Sequence, residues 1–229
     1  MKNSYTLPNG TLKNLLGITD SDELEQAETD IGFTKLMNIQ EELGRACDAN
    51  LLRRINKHIL GDVFEWAGEY RRYPVRKKED LLDGESIIYT MPEDIQDELY
   101  ITTKDMNECD WKNKSLDEIT EKFASFLAKL WRIHPFREGN TRTVLGFAEI
   151  FAKEHGFEMD MGNVIDNLDR IEDPYTGEIK RYSIRDRFLL ASLDKEDDPE
   201  PEHLEWILKK SIESGIEKRI DELDELLDR

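Results

Sequence analysis

The residues best suited to chemistry lie together in His134-Pro-Phe-Arg-Glu-Gly-Asn-Thr-Arg142. An imidazole with an ordinary pKa of about 6.5 accepts a hydroxyl proton at neutral pH, so His134 is the candidate base. Glu138 offers a hard carboxylate oxygen, the kind of ligand that holds a Mg²⁺ bridging phosphates. Gly139, Asn140 and Thr141 fall where a helix begins. There the exposed backbone N–H groups and the helix dipole make a cradle for anions. Arg142, in the first turn, can grip phosphate oxygens through its planar fork. A histidine that follows a helix is more often structural, and Glu-Gly-Asn is more often only a turn. What favours nucleotide chemistry is that the whole set occupies one short loop between two helices.

Those helices are legible. Ser115 can cap a helix over Ser115–Ile133, with Asp117 and Glu118 in its first turn. Ile119, Phe123, Phe126, Leu127, Leu130 and Trp131 form its apolar stripe. Thr141–His155 reads as the next helix, closed by Gly156. Upstream, helical spacing runs from about Thr19–Ser21 to Leu43, and again over Leu51–Leu60 ahead of Gly61. The aromatic stretch Gly61–Val75 reads as a short helix, a turn and an extended run. Ser86-Ile-Ile-Tyr-Thr, ended by Pro92, is the best strand candidate and suggests a hairpin. Glu93–Met106 and Tyr182–Leu193 return to helix, the latter after the turn residues Pro174 and Gly177. An acidic linker, DKEDDPEPEH, leads into a long charged helix from His203 to Arg229 with one stripe of leucine and isoleucine. The fold class is all-α, a helical bundle with one small β-hairpin and a long C-terminal helix. Residues 1–195 form the domain and 196–229 a linker and helical extension.

The bulk properties narrow the partners. The chain has 229 residues and a formal net charge of −19. A nucleic acid backbone needs a basic face, so DNA and RNA are poor partners, whereas a single nucleotide needs only a few local donors. Two cysteines, Cys47 and Cys109, do not make a disulfide framework. The opening MKNSYTLPNG lacks the apolar core of a signal peptide, and no apolar run reaches the length of a membrane span. These features point to the cytoplasm, with delivery into another cell left open.

The string His134–Arg142 resembles the Fic motif, His-x-Phe-x-(Asp/Glu)-Gly-Asn-(Gly/Lys)-Arg-x-x-Arg, at His134, Phe136, Glu138, Gly139, Asn140 and Arg142. Thr11-Leu-Lys-Asn-Leu-Leu-Gly-Ile and Gly61-Asp-Val-Phe-Glu-Trp-Ala-Gly-Glu-Tyr-Arg resemble segments of Fic enzymes of the bacterial effector and toxin type. The resemblance implies a protein adenylyltransferase. In such an enzyme His134 is the base for a target Ser, Thr or Tyr hydroxyl and Glu138 holds Mg²⁺. Gly139, Asn140, Thr141 and Arg142 bind the phosphates of ATP, and Phe136 anchors the loop. Ile87, Ile88, Tyr89 and Thr90 form a flap that takes up an extended target segment. Lys77 falls where related enzymes carry a lysine near the nucleotide, though a solvated basic run explains it equally well. Two positions depart from the pattern: Thr141 replaces Gly or Lys, and Leu145 replaces the last Arg.

The family's regulatory helix, (Ser/Thr)-x-x-x-Glu-(Gly/Asn), has no match here. Thr19/Glu23, Ser21/Glu25 and Ser192/Glu196 have the spacing but not the residue that should follow. No internal inhibitory helix is therefore expected, and inhibition by a separate small antitoxin-like protein is one alternative. Other functions compatible with Leu145 are transfer of a different phosphate-containing group, removal of AMP, or a catalytically weak protein-binding module. Oligomerisation through the C-terminal helix is a further expectation.

Overall fold

Ser115 starts the central helix. Its hydroxyl takes the N–H of Glu118, and the Glu118 carboxylate returns to the Ser115 N–H at 2.8 Å, a reciprocal cap that satisfies two otherwise orphaned donors. The computed structural model describes residues 5–39, 43–166, 170–172 and 179–227. The turn residues Pro174 and Gly177, and residues 228–229, to which the helix expected from the sequence extends, lie outside them. The helices are α1 (Ser21–Leu36), α2 (Ala49–Leu60), α3 (Ile95–Glu108), α4 (Leu116–Ile133), α5 (Asn140–His155), α6 (Met161–Asp166), α7 (Ile184–Ala191) and α8 (Glu202–Leu227). Strands β1 (Arg170–Glu172) and β2 (Ile179–Arg181) pair antiparallel, Ile171 opposite Lys180.

Helices α4 and α5 form the centre. Phe123, Leu127, Leu130 and Trp131 of α4 and Val144, Leu145, Phe147, Ala148 and Phe151 of α5 are buried. Around them pack α2 against α5, α3 and α7 against α4, and α1 against α2 and α5. Full burial of each large apolar side chain contributes about 1.5–3 kcal/mol, so this pair of stripes fixes how the loop between them is presented. Trp111 closes one end, edge-on to Phe123 at 5.9 Å and to Phe151 at 5.5 Å. The first half of α8 belongs to the same core through Leu204, Ile207, Leu208 and Ile212. At Gly215 the helix passes so close to the 158–159 backbone that a Cβ would lie 2.7 Å from the Glu158 carbonyl carbon. Beyond it Ile216, Ile220, Leu223 and Leu227 are exposed.

Three local expectations are corrected. The first helix stops at Leu36 rather than near Leu43, and Met37 and Asn38 form a turn. Residues 61–68 make successive turns and no helix, because Gly61 and Gly68 interrupt them and the Gly68 N–H goes to the Asn56 side chain at 2.8 Å. The hairpin expected at Ser86–Pro92 is not formed. That segment is extended but unpaired, and the regular antiparallel pair lies at β1–β2. Side chains hold it instead of a ladder: Arg132 Nε donates to the Ile88 carbonyl at 3.3 Å and Arg71 Nη2 to the Thr90 carbonyl.

Candidate active site

Helix α4 ends on a left-handed residue, His134, with φ 49° and ψ 56°. That conformation costs a residue with a Cβ about 1–3 kcal/mol and persists only where neighbours impose it. Here Arg71 does so from both its main chain and its side chain. Its N–H donates to the Pro135 carbonyl at 2.9 Å and its Nε to the His134 carbonyl at 2.7 Å. The loop re-enters helix at Gly139, φ 74°, where a Cβ would lie 2.6 Å from Leu60 Cδ1. Asn140 spans the loop. Its Oδ1 accepts the Phe136 N–H and its Nδ2 donates to the Phe136 carbonyl, both at 2.9 Å. Phe136 is fully buried beside Tyr70. From below, Asn56 Nδ2 donates to the Glu138 carbonyl and to Thr143 Oγ1, each at 3.1 Å. The loop is thus fixed at both ends and in the middle, while no side chain caps the N-terminus of α5. The first-turn N–H groups remain directed at whatever anion arrives.

His134 is 3% exposed, and neither ring nitrogen has a hydrogen-bond partner. The ring lies 4.3 Å from that of Tyr89 and 5.5 Å, edge-on, from that of Trp131. Burial, then the Lys77 and Arg71 charges, push its pKa well below 6.5. The imidazole is therefore neutral at physiological pH and carries a lone pair without an acceptor's usual partner. Unsatisfied buried polar atoms are uncommon and cost free energy, which makes this imidazole a candidate to meet an incoming donor.

Lys77 and Tyr89 lie beside the His134 ring. Lys77 is half-buried. Burial lowers its pKa, and the neighbouring charges acting on it are Glu138, Arg185, Arg137 and Glu79. It is not a fully solvated lysine, and its charge acts on the His134 ring. Tyr89 packs inward and donates to Glu79 Oε1 at 3.4 Å, and Ile87 is buried, whereas Ile88 is 76% exposed. The segment therefore alternates in and out as a strand does. Thr90 Oγ1 donates to Glu98 at 2.6 Å. Glu138 is paired with Arg137 and sits at the rim of the α5 terminus.

Two motif residues have partners the sequence did not suggest. Thr141 Oγ1 accepts the indole N–H of fully buried Trp131 at 2.9 Å. The hydroxyl at this position thus ties α5 to α4. Arg142 turns its guanidinium onto α1, where Nη2 meets the Glu28 carboxylate and Nη1 donates to the Glu28 carbonyl at 2.9 Å. A Cβ on Gly32 would collide with that guanidinium, so the close approach depends on the glycine. The α1 glutamate that meets the motif is Glu28, which the spacing search over Glu23, Glu25 and Glu196 did not consider. Leu145, in place of the family's last Arg, is fully buried in the core.

Glu28, Asn56, Arg71, Glu79 and Arg185 were not singled out from the sequence. Glu79 is buried and ion-paired to Arg185 of α7 at 2.6 Å. These residues come from segments distant in the chain, and apart from Arg71, the last residue of the Gly61–Arg71 segment of the resemblance, they carry no local pattern. The signal closest to one is the polar Asn56 inside the apolar face of α2. The single cluster of possible metal ligands among the described residues, Glu200, Glu202 and His203, belongs to the start of α8, not to this loop.

Residues 46–152 match the model of the Fic/DOC family. The chain is 31% identical over 166 residues to a protein adenylyltransferase of Bartonella schoenbuchensis, covering 70% of this chain and 33% of that one. It is 30% identical over 155 residues to a probable protein adenylyltransferase of Sinorhizobium fredii, covering 65% of this chain and 74% of that one. The chain thus spans about a third of the first relative's length. The N-terminal Fic domain of a Bartonella quintana effector superimposes with TM-score 0.71 at 22% identity, covering 100% of this chain and 99% of that one. An N-terminal Fic domain of a Bartonella quintana effector with bound ADP superimposes with TM-score 0.68 at 22% identity, covering 90% of this chain and 93% of that one.

Proposed function

The chain belongs to the Fic/DOC family, and on that premise we propose that it is a protein adenylyltransferase, moving AMP from ATP to a Ser, Thr or Tyr hydroxyl of another protein. The observation that carries this reading is the imidazole of His134, buried, held neutral and unpartnered at both nitrogens, one loop away from an uncapped helix N-terminus. Two curated relatives bearing the adenylyltransferase name support it.

In this reading ATP lays its phosphates against the first-turn N–H groups of Gly139, Asn140 and Thr141, with Lys77 and Arg142 as side-chain ligands. Glu138 fits a Mg²⁺ site by its chemistry. It is one hard carboxylate beside the anion cradle, and Mg²⁺ favours one or two carboxylates with phosphate oxygens and water completing its shell. When bound, the ion would neutralise phosphate charge. A ring nitrogen of His134 takes the proton of the target hydroxyl as that oxygen bonds to the α-phosphorus. The bond to pyrophosphate breaks, and the proton later leaves to solvent. Positioned bases of this kind contribute about 10²–10⁴-fold. The target lies along 86–91, where exposed Ile88 adjoins a groove of 480 Å³ between that segment, α3 and α4. An extended, unladdered backbone there can take up a target strand.

No helix among the described residues is long and apolar enough to cross a membrane, and Cys47 and Cys109 are both free thiols. We place the activity in a cytoplasm, of the producing cell or of a recipient. We also keep an antitoxin-like inhibitor and self-association through the end of α8 as proposals. His134→Ala tests the central claim. It should abolish labelling of lysate proteins by α-labelled ATP while Mg-ATP affinity, read by calorimetry, stays within about threefold. Labelling at the parental rate would remove His134 as the base.

A further inference from the structure

Arg71 is 2% exposed, and among the described residues its guanidinium meets carbonyls and no carboxylate. A buried guanidinium without a counter-charge is costly, and it persists where fixed dipoles replace the water it has lost. Here the dipoles are four carbonyls. Nε donates to His134 at 2.7 Å, Nη1 to Tyr73 at 3.0 Å, and Nη2 to both Ile133 at 3.3 Å and Thr90. Ile133 and His134 are the last carbonyls of α4, which carry the negative end of its dipole and lack intrahelical donors. Thr90 lies in the extended segment, next to the Tyr89 ring that covers the imidazole. Tyr73 lies in the bend two residues after Arg71 itself. One planar fork therefore joins the end of the catalytic helix to the segment that faces the target.

Among the described residues no other side chain makes all of these hydrogen bonds. The extended segment has no ladder; its other hydrogen bonds to α4 and α3 are Arg132 to Ile88 and the Thr90–Glu98 pair, both at the surface, and the buried Tyr89 ring packs on Trp131 at 6.0 Å without a hydrogen bond to α4. Neither hydrogen bond reaches the His134 main chain. We propose that Arg71 is a positioning residue: it sets the height and register of residues 86–91 over His134, so that a docked hydroxyl arrives at the base. A lysine cannot substitute, because a single ammonium on a flexible stem cannot reach the three segments in one plane.

The kinetic arm of the test rests on the adenylyltransferase reading; the proteolytic arm does not. The variants are Arg71→Lys and Arg71→Met, each first checked for a cooperative melt. Timed trypsin digestion reads cleavage at Arg76, Lys77 and Lys78, with Lys112 and Lys114 as internal controls. Both variants should be cut faster at 76–78 by about tenfold or more, the scale of one lost charged hydrogen bond, with no change at the controls. In the kinetic arm the probe is the lysate protein most strongly labelled by the parent, titrated at saturating ATP. Its half-saturating concentration should rise about tenfold in both variants, while Mg-ATP affinity stays within about threefold. If the parent labels nothing, the functional reading fails and the digestion still decides on Arg71. A folded Arg71→Lys with parental cleavage at 76–78 overturns the proposal. So does loss of the fold in both variants, which would make Arg71 a residue of the scaffold alone.

Discussion

Replacing Glu28 by Gln should tighten the binding of Mg-ATP. Arg142 is the motif arginine available to phosphates, yet its guanidinium is held by Glu28, and both side chains are only 12% exposed. Burial raises the Glu28 pKa and the Arg142 charge opposes that rise, so the pair is poorly hydrated but still charge-coupled. A charge-assisted hydrogen bond of this type is worth about 1.5–3 kcal/mol. Phosphates that recruit Arg142 must displace the carboxylate, so this energy opposes nucleotide binding. Gln keeps the size and a neutral acceptor, and the bond from Nη1 to the Glu28 backbone survives at 2.9 Å. Recovery of about half the pair energy gives a Kd lower by about three- to thirteenfold. The assay is calorimetry of Mg-ATP with the parent, Glu28→Gln, Arg142→Ala and the double variant. Arg142→Ala should weaken binding, and adding Glu28→Gln to it should change nothing further, since the competitor has nothing left to hold. An unchanged or weaker affinity in Glu28→Gln would refute the reasoning: Arg142 would then anchor α1 and leave the phosphates to other groups.

Further outcomes follow from single contacts. Thr141→Val should lower stability by about 1–3 kcal/mol, because the buried Trp131 indole N–H loses its acceptor, whereas Thr141→Ser should stay near the parent; denaturant titration reads both. Tyr89→Ala uncovers His134, so the imidazole pKa should climb back toward 6.5; NMR titration should show this, and the acid limb of the labelling rate should move up in pH, since protonation removes the base. Glu149 is raised to about 7 by burial, so the unfolded chain releases this proton first and stability falls as pH rises from 4.5 to about 7. Glu149→Gln should accordingly stabilise at pH 8, by up to about 3 kcal/mol at roughly 1.4 per pH unit, and lose that advantage below pH 4.5 in thermal melts. Truncation after Gly215 should leave the melting temperature almost unchanged, because the stripe from Ile216 to Leu227 is exposed; any self-association seen by sedimentation should disappear with it.

The helices and the loop were legible because their signals are local. Ser115 and Glu118 three residues apart specify a start, Gly156 specifies a stop, and the stripe on α4 states which face is buried. The motif likewise fixed where His134, Glu138 and the α5 terminus lie, since all sit within nine residues. The failures share a different cause. A hairpin at 86–92 was inferred from β-forming residues, but a strand also needs a partner, and the Ile88 and Thr90 carbonyls of this segment are taken by the Arg132 and Arg71 side chains instead. Residue propensity describes what a backbone can do, not which donors tertiary packing brings to it.

Glu28 shows the same limit at the site itself. A pattern search for an inhibitory glutamate asks for the residues that flank it, and Leu24 and Thr29 fit no such pattern. What places Glu28 on Arg142 is the approach of α1 to α5, 114 residues away in the chain, which the absence of a side chain on Gly32 permits. The loss of the family's last arginine bears on this directly. With Leu145 buried in the core, that position offers no cation for a carboxylate to seek, and the nearest motif cation is Arg142. A carboxylate half-withdrawn from water beside α5 then has one partner that relieves its desolvation, and it takes it. Leu145→Arg should therefore not restore a family-like site. It would drive a guanidinium into a fully packed core, and the expected result is a large loss of stability in denaturant titration, with Arg142 still held by Glu28 in whatever fraction remains folded.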